Sequence, residues 1–420
     1  MIKEKVYYYI RFKLESPLSI GNGDTTLTAH DCIRNLKGDL FIPATSLAGV
    51  FYHYLSEENR KMFNPEINGE NLLSPYFISD AQLNNNSVKT SIRDGVKLTE
   101  NKTAEKMAKY NFEVVETGAE FDFRIELTIR ENDDSDRMKR IVDIILNGLN
   151  SGEILLGFKS KRGYGKVSLV EVRNKKFESK DLNELLEFNK YDIDSYDVYE
   201  IKQENTDSKY DYIEVELKQL GGISIRRYST VAGQADFEHI KSNGVPIIPG
   251  TSWTGVIRRQ VGNYIKLMEN ELSTKLQVQV DYWFGTYNNG KYEAIASNII
   301  VEESTIKDSK EISITRNKID RFSGSVANRA LFTEKAVFDG TTKLRIKVKK
   351  QIKINGVYED NNKILGLIAL ALKDIDNGLI ALGGQTSIGR GIFKIESCKL
   401  NNKDFNLDEG IAKIIGGEQN

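Results

Sequence analysis

Cysteine and histidine are scarce in this chain of 420 residues, which has two of the first and three of the second. Cys32 and Cys398 stand far apart and without metal spacing, so neither a zinc site nor a disulfide framework is expected. His30, His53 and His239 show no ligand spacing, which argues against a metal cluster built on them. A run of about 18 or more apolar residues is also missing, so no spanning helix and no membrane partner are expected. The opening Met1-Ile2-Lys3-Glu4-Lys5 is charged and lacks the apolar stretch of a secretion signal, which makes a reducing cytoplasm the expected location. Nor is there an excess of one charge, since 59 basic residues meet 60 acidic ones. The molecule as a whole then has no field that draws in a polyanion, although a basic stripe on one face is compatible with that balance. With 40% apolar and 28% charged residues, the chain reads as an ordinary globular protein with room for two or three cores.

What the chain does contain is one local string written twice. Residues 42–50 read Ile-Pro-Ala-Thr-Ser-Leu-Ala-Gly-Val, and residues 248–256 read Ile-Pro-Gly-Thr-Ser-Trp-Thr-Gly-Val. In each copy an extended piece stops at the proline, and Thr45-Ser46 or Thr251-Ser252 offers N-caps for an amphipathic helix over 45–56 or 251–268. Other landmarks recur in the same order. Met62-Phe63-Asn64 matches Trp283-Phe284-Gly285, Ser74 matches Ser297, Arg93 matches Arg316, and Leu156-Gly157 matches Leu382-Gly383. Gly157, Gly163 and Gly165 match Gly383, Gly389 and Gly391 at identical spacing. That many ordered matches indicate a duplicated domain.

The first copy reads as strands over 6–15, 76–79, 121–129 and 166–172, with helices over 45–56 and 136–150. The second reads as strands over 212–219, 296–303, 342–350 and 391–398, with helices over 251–268 and 362–376. Strand, helix, strand, strand, helix, strand is the ferredoxin-like (RRM-like) α+β arrangement. The expected organisation is a first domain at 1–173, a polar linker at 174–209 with a short helix at 181–189, a second domain at 210–400 and a tail at 401–420. Each copy also carries a long polar insertion before its third strand, 81–119 and 304–339, which suits an extended hairpin or a flexible segment.

Closely spaced glycines let a backbone take φ > 0 and bring its N–H groups against a phosphate. Lys159, Lys161 and Arg162 add charge to the first glycine loop, and Arg390 adds it to the second. The plainer reading is a tight turn before a strand. Neither loop is a Walker A motif, because no Gly-Lys-Ser/Thr follows, nor a dinucleotide fingerprint, because a strand follows rather than a helix. The N-terminus of the helix after each Ile-Pro turn can hold an anion. There Thr45, Ser46, Thr251 and Ser252 either cap or donate to a phosphate, and Arg258 and Arg259 extend the positive surface. The insertions contain Tyr110 and Phe112 in one copy and Phe322 and Phe332 in the other, rings that stack on bases if the segments are more than surface loops. Asp31 and Asp236 lie 12 and 13 residues before Pro43 and Pro249. Loop aspartates mostly form turns, yet a carboxylate beside a splayed nucleotide can recruit Mg²⁺ or activate a 2′-hydroxyl for in-line attack. Asp24 is a rival in the first copy, and His30 and His239 lie near enough in sequence to assist.

The doubled Ile-Pro-(Ala/Gly)-Thr-Ser turn and the doubled Gly-x5-Gly-x-Gly loop, over roughly 4–172 and 211–398, resemble the RAMP superfamily of CRISPR-associated proteins. The loop aspartate ahead of Ile-Pro and the long insertion resemble the backbone subunits of type III effector complexes, here fused in tandem as in type III-D systems. The resemblance implies that the glycine loops, the helix starts, Arg93 and Arg316 grip guide RNA (crRNA). It implies that the insertions act as thumbs that displace one base, and that Asp31 and Asp236 cleave complementary target RNA. It further implies a metal-dependent endoribonuclease using transient Mg²⁺ or another divalent cation, partnered by other CRISPR effector subunits. A non-catalytic crRNA scaffold and a guide-processing nuclease are the alternatives. Ala44 departs from the usual glycine, which marks the first copy as the weaker one.

Overall fold

The computed structural model describes residues 1–415 apart from 22, 24–27, 68–69, 72, 85–87, 99–103, 204–207, 229–234, 269–270, 287–293, 328–330 and 355. The chain divides into two compact units, Met1–Ser160 with Tyr164–Thr206, and Lys161–Gly163 with Asp207–Asn420.

In the first unit Ile2–Leu14 lies between Val167–Glu178 and Glu120–Arg130, antiparallel to both. Tyr76–Ile78 and Ala81–Leu83 pair along the far side of Glu120–Arg130. The four principal strands thus stand in the order last, first, third, second. Alternate residues of a strand share a face, and Phe121, Phe123, Ile125, Leu127 and Ile129 accordingly enter the core together. They meet α1 (Ala44–Tyr54) through Leu47 and Phe51, and α3 (Ser135–Asn150) through Ile141, Ile145 and Leu149. The short α2 (Glu57–Phe63) adds Phe63. Asp134 caps α3 by accepting from Arg137 N, so the helix starts where an acceptor precedes its apolar face.

Two features differ from the sequence reading. The residues expected as a linker belong largely to this unit: the last strand runs on to Glu178, α4 (Leu182–Glu187) follows, and Asp197–Val198 pairs with Arg173 and Asn174. Leu185, Phe188, Ile193 and Tyr196 there cover Tyr7, Tyr9 and Phe177 on the sheet face opposite the main core. Those aromatic residues point to the opposite side of the strand from Tyr8 and Ile10, and alternation alone does not say what covers them. At α1, Pro43 is the N-cap residue and offers no side-chain acceptor, while Thr45 and Ser46 lie inside the first turn and cap nothing. Asp80 supplies the acceptor instead, 2.7 Å from Ala44 N.

The second unit repeats the plan. Tyr210–Leu220 lies between Thr341–Lys349 and Ile392–Leu400, with Ile299–Val301 and Ser304–Lys307 outside Thr341–Lys349. Trp253, Ile257 and Val261 of α5 (Gly250–Met268), Val280 and Trp283 of α6 (Glu271–Phe284), and Ile364, Ile368 and Leu372 of α7 (Asn362–Asp376) fill its core. The helix α6 was not expected. The residues read as a tail form Lys403–Asp404, paired with the last strand, and α8 (Leu407–Ile415). The outer sheet face here is ionic, with Glu214 and Glu216 paired to Lys343 and Glu214 also to Arg345. Each unit is a ferredoxin-like α+β fold. No helix among the described residues is long and apolar enough to cross a membrane.

Candidate nucleic-acid interface

Backbone hydrogen bonds tie three segments of the first unit together: the stretch after the first strand, the hairpin of Thr90–Leu98 and Ala104–Val115, and the two ends of the glycine loop, 157–160 and 164–165. Phe158 N donates to Ser19 O at 2.7 Å, and Gly165 N donates to Pro17 O at 2.8 Å. Leu18 and Val115 exchange bonds of 2.9 and 2.7 Å, Ile33 N donates to Ile20 O, and Glu113 N donates to His30 O. A Cβ on Gly165 would lie 1.8 Å from Leu156 O, and its φ is +75°. Close packing therefore already requires that glycine. Lys159, at φ 58°, lays its ammonium 3.2 Å from the centre of the Phe112 ring, 4.5 Å from Tyr110 and 5.3 Å from Phe158. The exposed His30 ring packs against Phe158 with centroids 4.9 Å apart.

The second unit has the same wiring. Gly384 N donates to Ser224 O and Gly391 N to Gly222 O, both at 2.8 Å. Ile240 N donates to Ile225 O, and Ile223 pairs with Val337 of the hairpin formed by Lys310–Arg316 and Phe332–Phe338. Gly391 is held as Gly165 is, with Leu382 O at 1.8 Å from where a Cβ would stand and φ +76°. These bonds set the repeats in register. Pro17, Ser19, Ile20 and Val115 correspond to Gly222, Ser224, Ile225 and Val337. The bridge between Gly21 and Cys32 corresponds to the pair Arg226 and His239. Asp31 therefore corresponds to Glu238, whereas Asp236 corresponds to Ala29. The turn between Arg34 and Leu40 is one residue longer than that between Lys241 and Pro246, which is why counting back from the prolines misaligns the two copies.

The interior of each assembly supports that register. Where Tyr164 meets Phe112 edge to face in the first unit, Arg390 meets the fully buried Glu334 at 2.5 Å in the second. An aromatic pair has become an ion pair at corresponding positions. Arg93 and Arg316 share the hairpin face but sit opposite Phe112 and Phe332, two places apart in this register, so they are not counterparts.

A family model of the RAMP superfamily matches residues 11–168 and 227–394, once in each repeat. The chain belongs to the RAMP superfamily. As a RAMP protein it is CRISPR-associated and binds RNA. No curated protein matches it.

In this RAMP chain many of the anticipated RNA contacts lie inside. Arg93 is buried against Glu116 at 3.4 Å and under Tyr164, and Arg316 reaches Glu334 at 3.3 Å. Burial pushes the Arg390 guanidinium below its ordinary value despite Glu334. Arg258 donates to Gly285 O and pairs with Asp281, fixing α5 to the end of α6. The N–H groups of Gly165 and Gly391 are committed to carbonyls. Gly157, Gly163, Gly383 and Gly389 all take positive φ, and Gly383 and Gly389 are exposed. Thr45, Lys161, Arg162 and Arg259 are exposed, while Ser46, Thr251 and Ser252 are half-buried.

The aspartates do local work. Asp31 is buried, and its Oδ1 accepts from Thr28 N at 2.8 Å and Thr28 Oγ1 at 2.7 Å. Asp236 is exposed, and its Oδ2 accepts from Thr333 N at 2.7 Å. Asp24 lies outside the described residues. His239 is fully buried, with Nδ1 accepting from Ile225 N and Nε2–H donating to Ile247 O, so it is structural and does not assist. Of the aromatic candidates, Phe112 is buried, Tyr110 covers Gly95 and Phe332 stacks on Phe237. Phe322 alone among the four is fully exposed, on a turn closed by Asp320 Oδ1 accepting from Phe322 N and Ser323 N. Sequence reading did not pick out Glu238 as the position matching Asp31, because only the turn length reveals that match. It also missed the Arg34–Glu113 pair at 2.5 Å, which ties the Asp31 segment to the hairpin. Burial raises the Glu113 carboxyl, but Arg34 and the Cys32 amide outweigh it and leave it below its ordinary value.

Among the described residues no three His, Cys, Asp or Glu side chains group to hold a metal. Asp31 belongs to no such group, so the described residues do not fit a resident divalent cation.

Proposed function

We propose that this RAMP chain is a backbone subunit of a type III effector complex that binds crRNA and cleaves complementary target RNA. One observation carries the reading: in both units the same hydrogen bonds bring a carboxylate-bearing hairpin, a glycine loop and a long insertion together. Exposed Lys161, Arg162 and Arg259 provide charge for the guide backbone, and Phe322 provides a ring that can displace a base. A displaced nucleotide can set its 2′-oxygen in line with the adjacent phosphorus. A loop carboxylate takes the 2′-hydroxyl proton, the 2′-O–P bond forms, the P–O5′ bond breaks, and water protonates the departing 5′-oxygen. The products are a 2′,3′-cyclic phosphate and a 5′-hydroxyl. The proposal needs no cation held by the protein, and any divalent ion arrives with the RNA.

A second reading, a non-catalytic crRNA scaffold, is favoured by the local bonds of Asp31 and Asp236. Asp31→Asn in the reconstituted complex separates the two. Cleavage predicts loss of one product by about 100-fold or more with RNA binding retained, and the scaffold reading predicts no cutting by the parent complex. Trimming of a guide precursor in EDTA would point instead to a guide-processing nuclease.

A further inference from the structure

We propose that Glu238, and not Asp236, is the working carboxylate of the second unit. The inference rests on the cleavage reading above and names the residue that performs it in the second copy. Its first support is register. The glycine-loop amides on Ser19 and Ser224 align the first segments of the repeats, and the bridges from Gly21 to Cys32 and from Arg226 to His239 carry that register to the returning segments. Together they place Glu238 where Asp31 stands, next to the residue that closes the hairpin.

The second support is what each carboxylate is doing. Asp236 occupies the place of Ala29, so the first copy has no acid there at all. Its Oδ2 receives Thr333 N while its own N–H donates to Thr333 O at 2.9 Å, a reciprocal clamp that fastens the loop to the hairpin strand. Glu238 is half-buried, and its carboxylate makes no hydrogen bond or ion pair with another described residue. Asp31 is tethered to Thr28, but the residue corresponding to Thr28 is Ala235, which has no hydroxyl to offer. The Glu238 carboxylate therefore keeps its acceptor capacity for a substrate.

The third support is charge. The strand pairings place Arg227 and Lys335 on either side of Glu238, one antiparallel and one parallel. Two cations beside one carboxylate offer an approaching phosphate a counter-charge. The step is the one written above: the carboxylate accepts the 2′-hydroxyl proton, and no further reactant is needed.

The test is product mapping on end-labelled complementary RNA with the complex reconstituted from the full-length chain and crRNA. Asp31→Asn, Asp236→Asn, Glu238→Gln and Glu238→Asp are compared with the parent. The expected result is that Glu238→Gln loses one of two cuts by about 100-fold or more, Glu238→Asp regains part of it, and Asp236→Asn keeps both. Asp31→Asn loses only the other cut. Equal thermal midpoints and crRNA binding for Glu238→Gln and the parent exclude misfolding as the cause. If Asp236→Asn removes the cut and Glu238→Gln does not, the assignment is overturned while the cleavage reading stands. If the parent complex makes no cut, both fail together.

Discussion

His239 shows how one side chain can be mistaken for chemistry. In sequence it lies three residues from a candidate aspartate, but in the fold both ring nitrogens bind backbone and burial holds its pKa down to about 4. The unfolded chain takes up this proton near pH 6.5 and the folded chain only near 4, so the unfolded state binds more protons in between. Its stabilisation is complete above about pH 6.5 and is lost as the pH falls toward 4, with a ceiling of roughly 3 kcal/mol. Thermal unfolding of the parent is expected to lose midpoint more steeply over that window than His239→Gln does, and parallel curves would contradict the assignment. At this scale the glycines were legible, because the clash of a Cβ at Gly165 or Gly391 with a carbonyl of the same loop leaves a fixed spacing. The arginines were not. Nothing local distinguishes Arg93 and Arg390, which meet buried glutamates 23 and 56 positions away, from exposed Arg162 and Arg259.

Among the elements, the hairpins were visible in outline as polar insertions, but their working residues were not. Tyr110, Phe112 and Phe332 are rings that hold the hairpins down, as the Lys159 contacts and the Phe237 stack show. Phe322 is different because Asp320 braces the turn that displays it. Phe322→Ala is therefore expected to weaken RNA binding by the value of a stacked base, about 1–3 kcal/mol, without changing thermal stability. Binding measured by titration with labelled duplex and single-stranded RNA checks this, and an unchanged affinity for both would remove the ring from the interface. The helix starts carry a related lesson. Thr45-Ser46 has N-cap composition, but the helix begins one residue earlier and Asp80, 36 positions away, bonds its first amide.

At the level of the whole molecule, the duplication was readable because two copies of one fold must satisfy the same backbone bonds, and those bonds constrain glycines, prolines and turns more than side chains. What the copies do with the same scaffold has drifted. The first covers its outer sheet face with Phe188 and Tyr196, while the second leaves an ion-pair lattice of Glu214, Lys343 and Arg345. The extent of the first unit was hidden because residues 174–199 are too polar on average to read as part of a core, although a few of them complete one. The account stands on RNA being bound along both repeats. The measurement that tests it most directly is the RNA content of the full chain purified at low salt from its host together with whatever subunits accompany it. The account predicts protected RNA of defined length that dissociates steeply as salt rises, because phosphate contacts release counterions. A preparation free of RNA at low salt, with the chain folded, would contradict it.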